Sequence, residues 1–158
     1  MPTKEKIENA IAFLWDDLCK LQDPFYIIGS SALVLAGIPL EATDDIDLLT
    51  SHRDADFLKE HWQLHKVEAY TPKDSDKFRS NFGRFRWNIV LVEVMGDLEV
   101  FHKGEWQKLQ IEEYFEVEIN QSSARVPVLK EQERIFRLFG RAKDLAKADL
   151  ITKHIIQP

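Results

Sequence analysis

The stretch Tyr26–Thr50, YIIGSSALVLAGIPLEATDDIDLLT, constrains this chain more than any other, because it sets Asp44, Asp45 and Asp47 beside apolar residues that read as core. Along Asp45-Ile46-Asp47-Leu48 carboxylate and aliphatic alternate, the pattern of a strand with one buried face and one face put to another use. Residues two apart on a strand point the same way, so Asp45 and Asp47 are expected to project side by side. Crowded and partly desolvated, such a like-charge pair raises its own pKa values unless a cation neutralises it, and Mg²⁺ prefers oxygen ligands. The bland alternative for the three acids is a solvated edge or a helix N-terminus.

Upstream, Phe25–Ile28 reads as a short strand and Gly29-Ser30 punctuates it. Ser31–Ala36 is expected to be a short helix with Ser30 as N-cap, stopped by Gly37 and Pro39. Backbone N–H groups at such a strand-to-helix junction suit an anion, and glycine permits close approach. A phosphate cradle facing a carboxylate pair makes a metal-phosphate site.

A third acid comes from Asn88–Met95, NIVLVEVM, which is apolar on both faces apart from Glu93 and reads as a central strand. Gly96-Asp97 is expected to be a two-residue hairpin turn, with Leu98 and Val100 on the returning arm. A lone buried glutamate is costly, so Glu93 either joins the acidic site or pairs with Arg84 or Arg86.

Elsewhere, Ile7, Ile11, Leu14 and Leu18 mark an amphipathic helix across Glu5–Leu21. Ser51 with Asp54 resembles a capping pair opening a helix through about Lys66. Thr71–Trp87 shows no clean period and is expected to be a loop with a short strand at most. From Val128 the pattern is helical, with Gly140 a break between two helices. Together these elements predict a mixed α+β domain: a short, twisted, mixed sheet carrying the acids, covering helices, and C-terminal helices. One domain is expected over 1–158, with a sheet-bearing part at 1–127 and a helical part at 128–158.

Whole-chain properties narrow the partners. A net charge of −6 over 158 residues argues against a protein that coats polyanions, although a local basic stretch can still hold phosphates. Lys77, Arg79, Arg84 and Arg86, interleaved with Phe78, Phe82, Phe85 and Trp87, form such a stretch: either a phosphate- and base-binding surface or a charged loop anchored by its aromatics. The single cysteine, Cys19, excludes an intrachain disulfide and suits a reducing cytoplasm, and neither an export signal nor a membrane span is expected. His61 and His65 have the spacing of two metal ligands, but a solvated helix face explains them better; Trp15, Trp62 and Trp106 read as packing groups.

Taken in order, IIGSSALVLAG, TDDIDLL and IVLVEVM resemble the nucleotidyltransferase superfamily with the DNA polymerase beta catalytic fold, especially its small bacterial members. The tail GRAKDLAKADL is similar to an Arg-x-Lys-Asp helix of some abortive-infection toxin-type relatives. The resemblance implies that Gly29 and Ser30 hold a nucleoside triphosphate such as ATP, and that Asp45 and Asp47 ligate Mg²⁺, one ion or two. Glu93 takes the third acidic position, which in antibiotic-modifying members acts as general base, leaving it base or metal ligand. Arg84 and Arg86 would add phosphate contacts, and Arg141, Lys143 and Asp144 either bridge the last helix to the active face or pair with one another on a wet surface. Where many toxin-type relatives carry an arginine shortly before the acid pair, this chain has Pro39-Leu40-Glu41-Ala42-Thr43. The implied activity is Mg-dependent transfer of a nucleoside monophosphate from an NTP to an acceptor hydroxyl, with release of pyrophosphate; the acceptor is open among small molecule, RNA and protein. The alternative is a catalytically silent protein of the same fold that binds a protein partner, as an antitoxin or regulator does.

Overall fold

The computed structural model describes residues 3–40, 43, 45–68 and 70–156. Asp44 and the Glu41-Ala42 pair of the sequence reading lie outside these residues. The elements run α1 (Thr3–Leu18), β1 (Tyr26–Ile28), α2 (Gly29–Leu35), β2 (Asp45–Thr50), α3 (His52–His61), β3 (Phe78–Arg86), β4 (Leu91–His102), β5 (Glu105–Lys108), β6 (Tyr114–Ile119), β7 (Ser122–Pro127), α4 (Leu129–Phe139) and α5 (Ala142–Ile156). The mixed α+β reading holds: one 7-stranded sheet, ordered β3-β4-β2-β1-β7-β6 with β5 on β4, contains both parallel and antiparallel pairs.

Two faces of this sheet do different work. One buries Ile27, Ile46, Leu48, Val92 and Val94 against α1 and α3, where Ile7, Ile11, Leu14 and Leu18 supply the stripe expected from their spacing. On the other face Ile28, Leu49, Leu98 and Val100 pack with Ile135 and Phe139 of α4. The acids lie on this second face, where α4 and α5 cover only part of the sheet. Burial of the first face is the main favourable term, at roughly 25 cal/mol per Å² of apolar surface.

Several expectations need correcting. Gly96-Asp97 is not a hairpin turn: β4 runs straight through, Gly96 pairs with Thr50 of β2, and Asp97 has φ 49°. The left-handed residue makes a bulge that shifts the register against β3 between Arg79 and Asn81 and flips the side-chain alternation. Leu98 and Val100 therefore continue the face of Met95 instead of lying on a returning arm. Gly96 is required for a separate reason, since a Cβ there would stand 2.6 Å from the Ala55 Cβ of α3. The true turns are at 87–90, where Trp87 N–H donates to the Val90 carbonyl, and at Lys103-Gly104.

Thr71–Trp87 is no mere loop, because its second half is the nine-residue strand β3. Its period was masked by aromatics and cations on both faces. Neither β5 nor the β6–β7 hairpin was expected. Ser30 is not an N-cap; α2 starts at Gly29 after Ile28, without a side-chain cap. Ser51 does cap α3, accepting from Asp54 N–H at 3.2 Å, but the helix ends at His61 and a 3-10 turn follows. His61 and His65 do not converge: His61 bonds Asp17 at 2.9 Å and His65 stacks on Trp87. Among the described residues no helix is long and apolar enough to cross a membrane.

Candidate active site

Strand register builds the centre of the site. Ile28 pairs with Asp47, Asp47 with Glu93, and Glu93 with Arg84, so one row crosses β1, β2, β4 and β3 on the partly uncovered face. Asp45 stands two residues before Asp47 on that same face, exposed at the start of β2. The expected side-by-side projection of the two aspartates is present, and Glu93 joins them from the neighbouring strand.

Gly29 follows Ile28 directly and has φ +74°, and a Cβ there would lie 2.5 Å from Asp47 Oδ2. Glycine is therefore required twice, by the backbone and by the carboxylate pressed against it. Ser30 is half-buried in the first turn of α2, whereas Ser31 is buried and its hydroxyl donates to the Asp45 carbonyl. That bond ties the helix to the start of β2 across the intervening loop.

A cleft of about 480 Å³ opens over this row. Gly29, Asp47 and Glu93 form its floor, Tyr70 to Ser75 one wall, and Phe136, Phe139 and the start of α5 the other. Ser30, Asp45, Arg84 and Arg86 are not among its lining residues. Arg86 is exposed, and Arg84 lines a neighbouring groove. Arg141, Lys143 and Asp144 do line the cleft. Arg141 is committed to structure, with Nε donating to buried Asp144 at 2.6 Å and Nη1 to Asp74 at 3.2 Å, which fastens the wall loop to α5.

Lys147 was missed by sequence reasoning. It stands one turn after Lys143 and lines the same cleft, so the i, i+4 lysine pair on the last helix was the available signal. Burial holds its ammonium below the usual lysine range, with Lys143 and Arg141 adding to that and Asp144 and Asp47 opposing it.

Asp47 carries the largest electrostatic anomaly of the cleft. Burial, then the neighbouring Glu93 and Asp45 carboxylates, push its carboxyl from 3.8 up to about 7, against the pull of Lys147 and Lys143. Unrelieved negative charge among oxygen donors suits a hard dication. Among the described residues no three His, Cys, Asp or Glu side chains stand arranged as a metal cage. Mg²⁺ is commonly held by one or two carboxylates, water and substrate phosphates, and the Asp45–Asp47 pair fits that habit.

No protein-family model and no curated protein matches the chain at a significant level. Solved structures do. A Thermotoga maritima protein described provisionally as a nucleotidyltransferase superposes with a TM-score of 0.74 at 22% identity, over 100% of this chain and 97% of that one. The lincosamide antibiotic adenylyltransferase LnuA, solved with lincomycin bound, gives 0.58 at 13% identity, over 96% and 98%. The antibiotic-resistance factor ANT(2'')-Ia gives 0.56 at 12%, over 98% and 86%. With the sheet order, the acid row and the Gly29 junction in view, these superpositions lead to one structural conclusion: the chain has the nucleotidyltransferase fold.

Proposed function

We propose that the cleft binds a nucleoside triphosphate with Mg²⁺ and transfers its nucleoside monophosphate to an acceptor hydroxyl. The observation that carries this reading is the Asp47–Glu93 pair, held in register beside Gly29, with the Asp47 carboxyl pushed up to about 7 in a cleft that also presents Lys143 and Lys147 of α5. A site of this kind has negative charge waiting for a cation and positive charge waiting for phosphate.

Asp45 and Asp47 would hold the metal, with Glu93 beside them, and a bound Mg²⁺ would neutralise charge on the reacting phosphates. Gly29 and Ser30 present the first turn of α2 to the triphosphate, while Lys143 and Lys147 face it from α5. The acceptor oxygen attacks the α-phosphorus in line, forming a P–O bond as the bond to the β-phosphate oxygen breaks and pyrophosphate leaves. Glu93 takes the acceptor proton. The adenylyltransferase neighbours act with adenylyl groups, which supports ATP as the first nucleotide to test. On this reading 1–158 works as one domain: the sheet-bearing part, 1–127, supplies the acids, and the helices of 128–158 close the cleft.

Calorimetric titration of each NTP, with and without Mg²⁺, into wild type and the Asp45→Asn/Asp47→Asn variant tests the proposal. Metal-dependent binding by wild type alone is expected. Equal binding by both proteins, or none by either, would sink it; a stoichiometric co-purifying protein without pyrophosphate release would point to the silent binding protein instead.

A further inference from the structure

Beside the cleft runs a second groove of about 760 Å³. Tyr70, Pro72, Ser80 and Phe82 line both, so the two adjoin. Unlike the acidic floor of the cleft, this groove presents Lys59, Lys66 and Arg84, with Glu68 its one acid among the described residues. Such an excess of positive charge is notable in a chain of net charge −6. Lys59 is engaged, its Nζ donating to Asn81 Oδ1 at 2.9 Å.

Arg84 is the informative residue. Its guanidinium carbon sits 4.0 Å from the Tyr70 ring centroid, which fixes the plane of the fork. Its Nε is buried and has no hydrogen-bond partner among the described residues, although Glu93 is its register partner. That atom is closed to the groove, so an oxyanion there meets the Nη groups, which make no hydrogen bond among the described residues, through strong, charge-assisted bonds.

We infer that the acceptor of the transfer proposed above is a small hydroxyl compound bearing an oxyanion, and that Arg84 holds this oxyanion in the second groove. The inference rests on the transfer reading and adds a substrate class to it. Distance supports it: neighbouring strands are about 4.8 Å apart, so Arg84 lies one strand from Glu93 and two from Asp47. An anion on Arg84 places a hydroxyl a few bonds away over Glu93, where its proton is taken, with the nucleotide phosphorus beyond it towards Asp47. Lys66, exposed at the rim, adds long-range attraction.

Glycerol 3-phosphate and uncharged glycerol are the probes, titrated calorimetrically into wild type, Arg84→Gln and Arg84→Lys, with Mg²⁺ and NTP titrated in parallel. Wild type is expected to bind the phosphate ester at least tenfold more tightly than glycerol. Arg84→Gln should lose that preference, Arg84→Lys should keep part of it, and NTP affinity should stay within twofold. Equal ester binding by wild type and Arg84→Gln overturns the inference. So does a tenfold loss of NTP affinity in Arg84→Gln, which would make Arg84 a ligand of the nucleotide. Lys66→Gln, a surface change that leaves the sheet alone, guards against misfolding of the Arg84 variants; a two- to fivefold weaker ester is expected, and no change in any variant overturns the anion site. Failure of the transfer reading looks different: wild type binds no NTP, and ester binding at Arg84 in that protein overturns the acceptor assignment. If NTP binds and pyrophosphate is released only with uncharged hydroxyl compounds, the anionic class alone is wrong.

Discussion

Asp47 and Glu93 are register partners on the parallel strands β2 and β4, and Gly29 stands so close to Asp47 that a Cβ would come within 2.5 Å of its carboxylate. The site is thus one in which backbone pairing concentrates negative charge, and the missing Cβ at Gly29 is what leaves space for the Asp47 carboxylate.

Replacing Asp47 by asparagine should separate stability from function. The ionised carboxylate is costly to keep in the unliganded cleft, so Asp47→Asn should raise stability at pH 8 by about 1–3 kcal/mol; this figure discounts a shift of about three pKa units, at 1.36 kcal/mol each, for the carboxyl's remaining contact with solvent. Turnover should fall by at least two orders of magnitude. Denaturant unfolding and a pyrophosphate-release assay measure the two effects, and a destabilised variant would contradict the electrostatic account.

The same carboxyl predicts a pH dependence with a definite sign. Its value in the folded protein, about 7, lies above the ordinary 3.8, so the neutral form favours the fold. This contribution is fully present below about pH 4 and is lost as pH rises through about 7. Wild-type melting temperatures should therefore fall relative to Asp47→Asn between about pH 4 and 7. Mg²⁺ affinity should rise over the same interval, because binding needs the ionised form. A pH-independent difference between the two proteins would show that Asp47 is not perturbed.

Gly29→Ala meets both a left-handed backbone at φ +74° and the Asp47 carboxylate. A loss of about 1–3 kcal/mol is expected, together with loss of nucleotide binding, because the first turn of α2 and Asp47 must part to admit the methyl group. Thermal melting and calorimetry read both. Gly37→Ala is a fair control, since nothing lies within 4 Å of a Cβ there, although its φ of +102° leaves some backbone strain.

Lys147 faces the cleft from α5 and is held below the usual lysine range chiefly by burial. Lys147→Gln should weaken Mg·NTP binding about tenfold while leaving stability within about 1 kcal/mol, since the change removes a partly desolvated charge. Unchanged nucleotide affinity would remove α5 from the binding surface.

Asp54 shows the cost of breaking a buried polar link far from the cleft. Its carboxylate accepts from Gln22 N–H at 3.0 Å and Asp23 N–H at 2.8 Å, fixing the chain before β1 onto the start of α3. Asp54→Ala leaves those donors unsatisfied and should cost about 2–3 kcal/mol in denaturant unfolding, with nucleotide affinity retained.

What the sequence by itself determined was set by short-range rules. The stripe of α1, the Ser51 cap, the Gly140 break and the alternation of Asp45 to Leu48 each depend on neighbours within a few residues, and each is present in the structure. Asp45, Asp47 and Glu93 were legible as candidates because charge inside an apolar strand has few uses. Tertiary structure alone decided the rest. The bulge at Asp97 depends on a backbone twist that no local pattern announces, and with Gly96 pressed on Ala55 it turns an apparent hairpin into one long strand. β3 was hidden because its two faces meet different neighbours, Phe85 in the core and Arg84 on Tyr70. Lys147 entered the cleft, and Arg86 stayed out of it, because side-chain position there follows from how α5 and β3 pack on the sheet, and packing joins residues far apart in the chain.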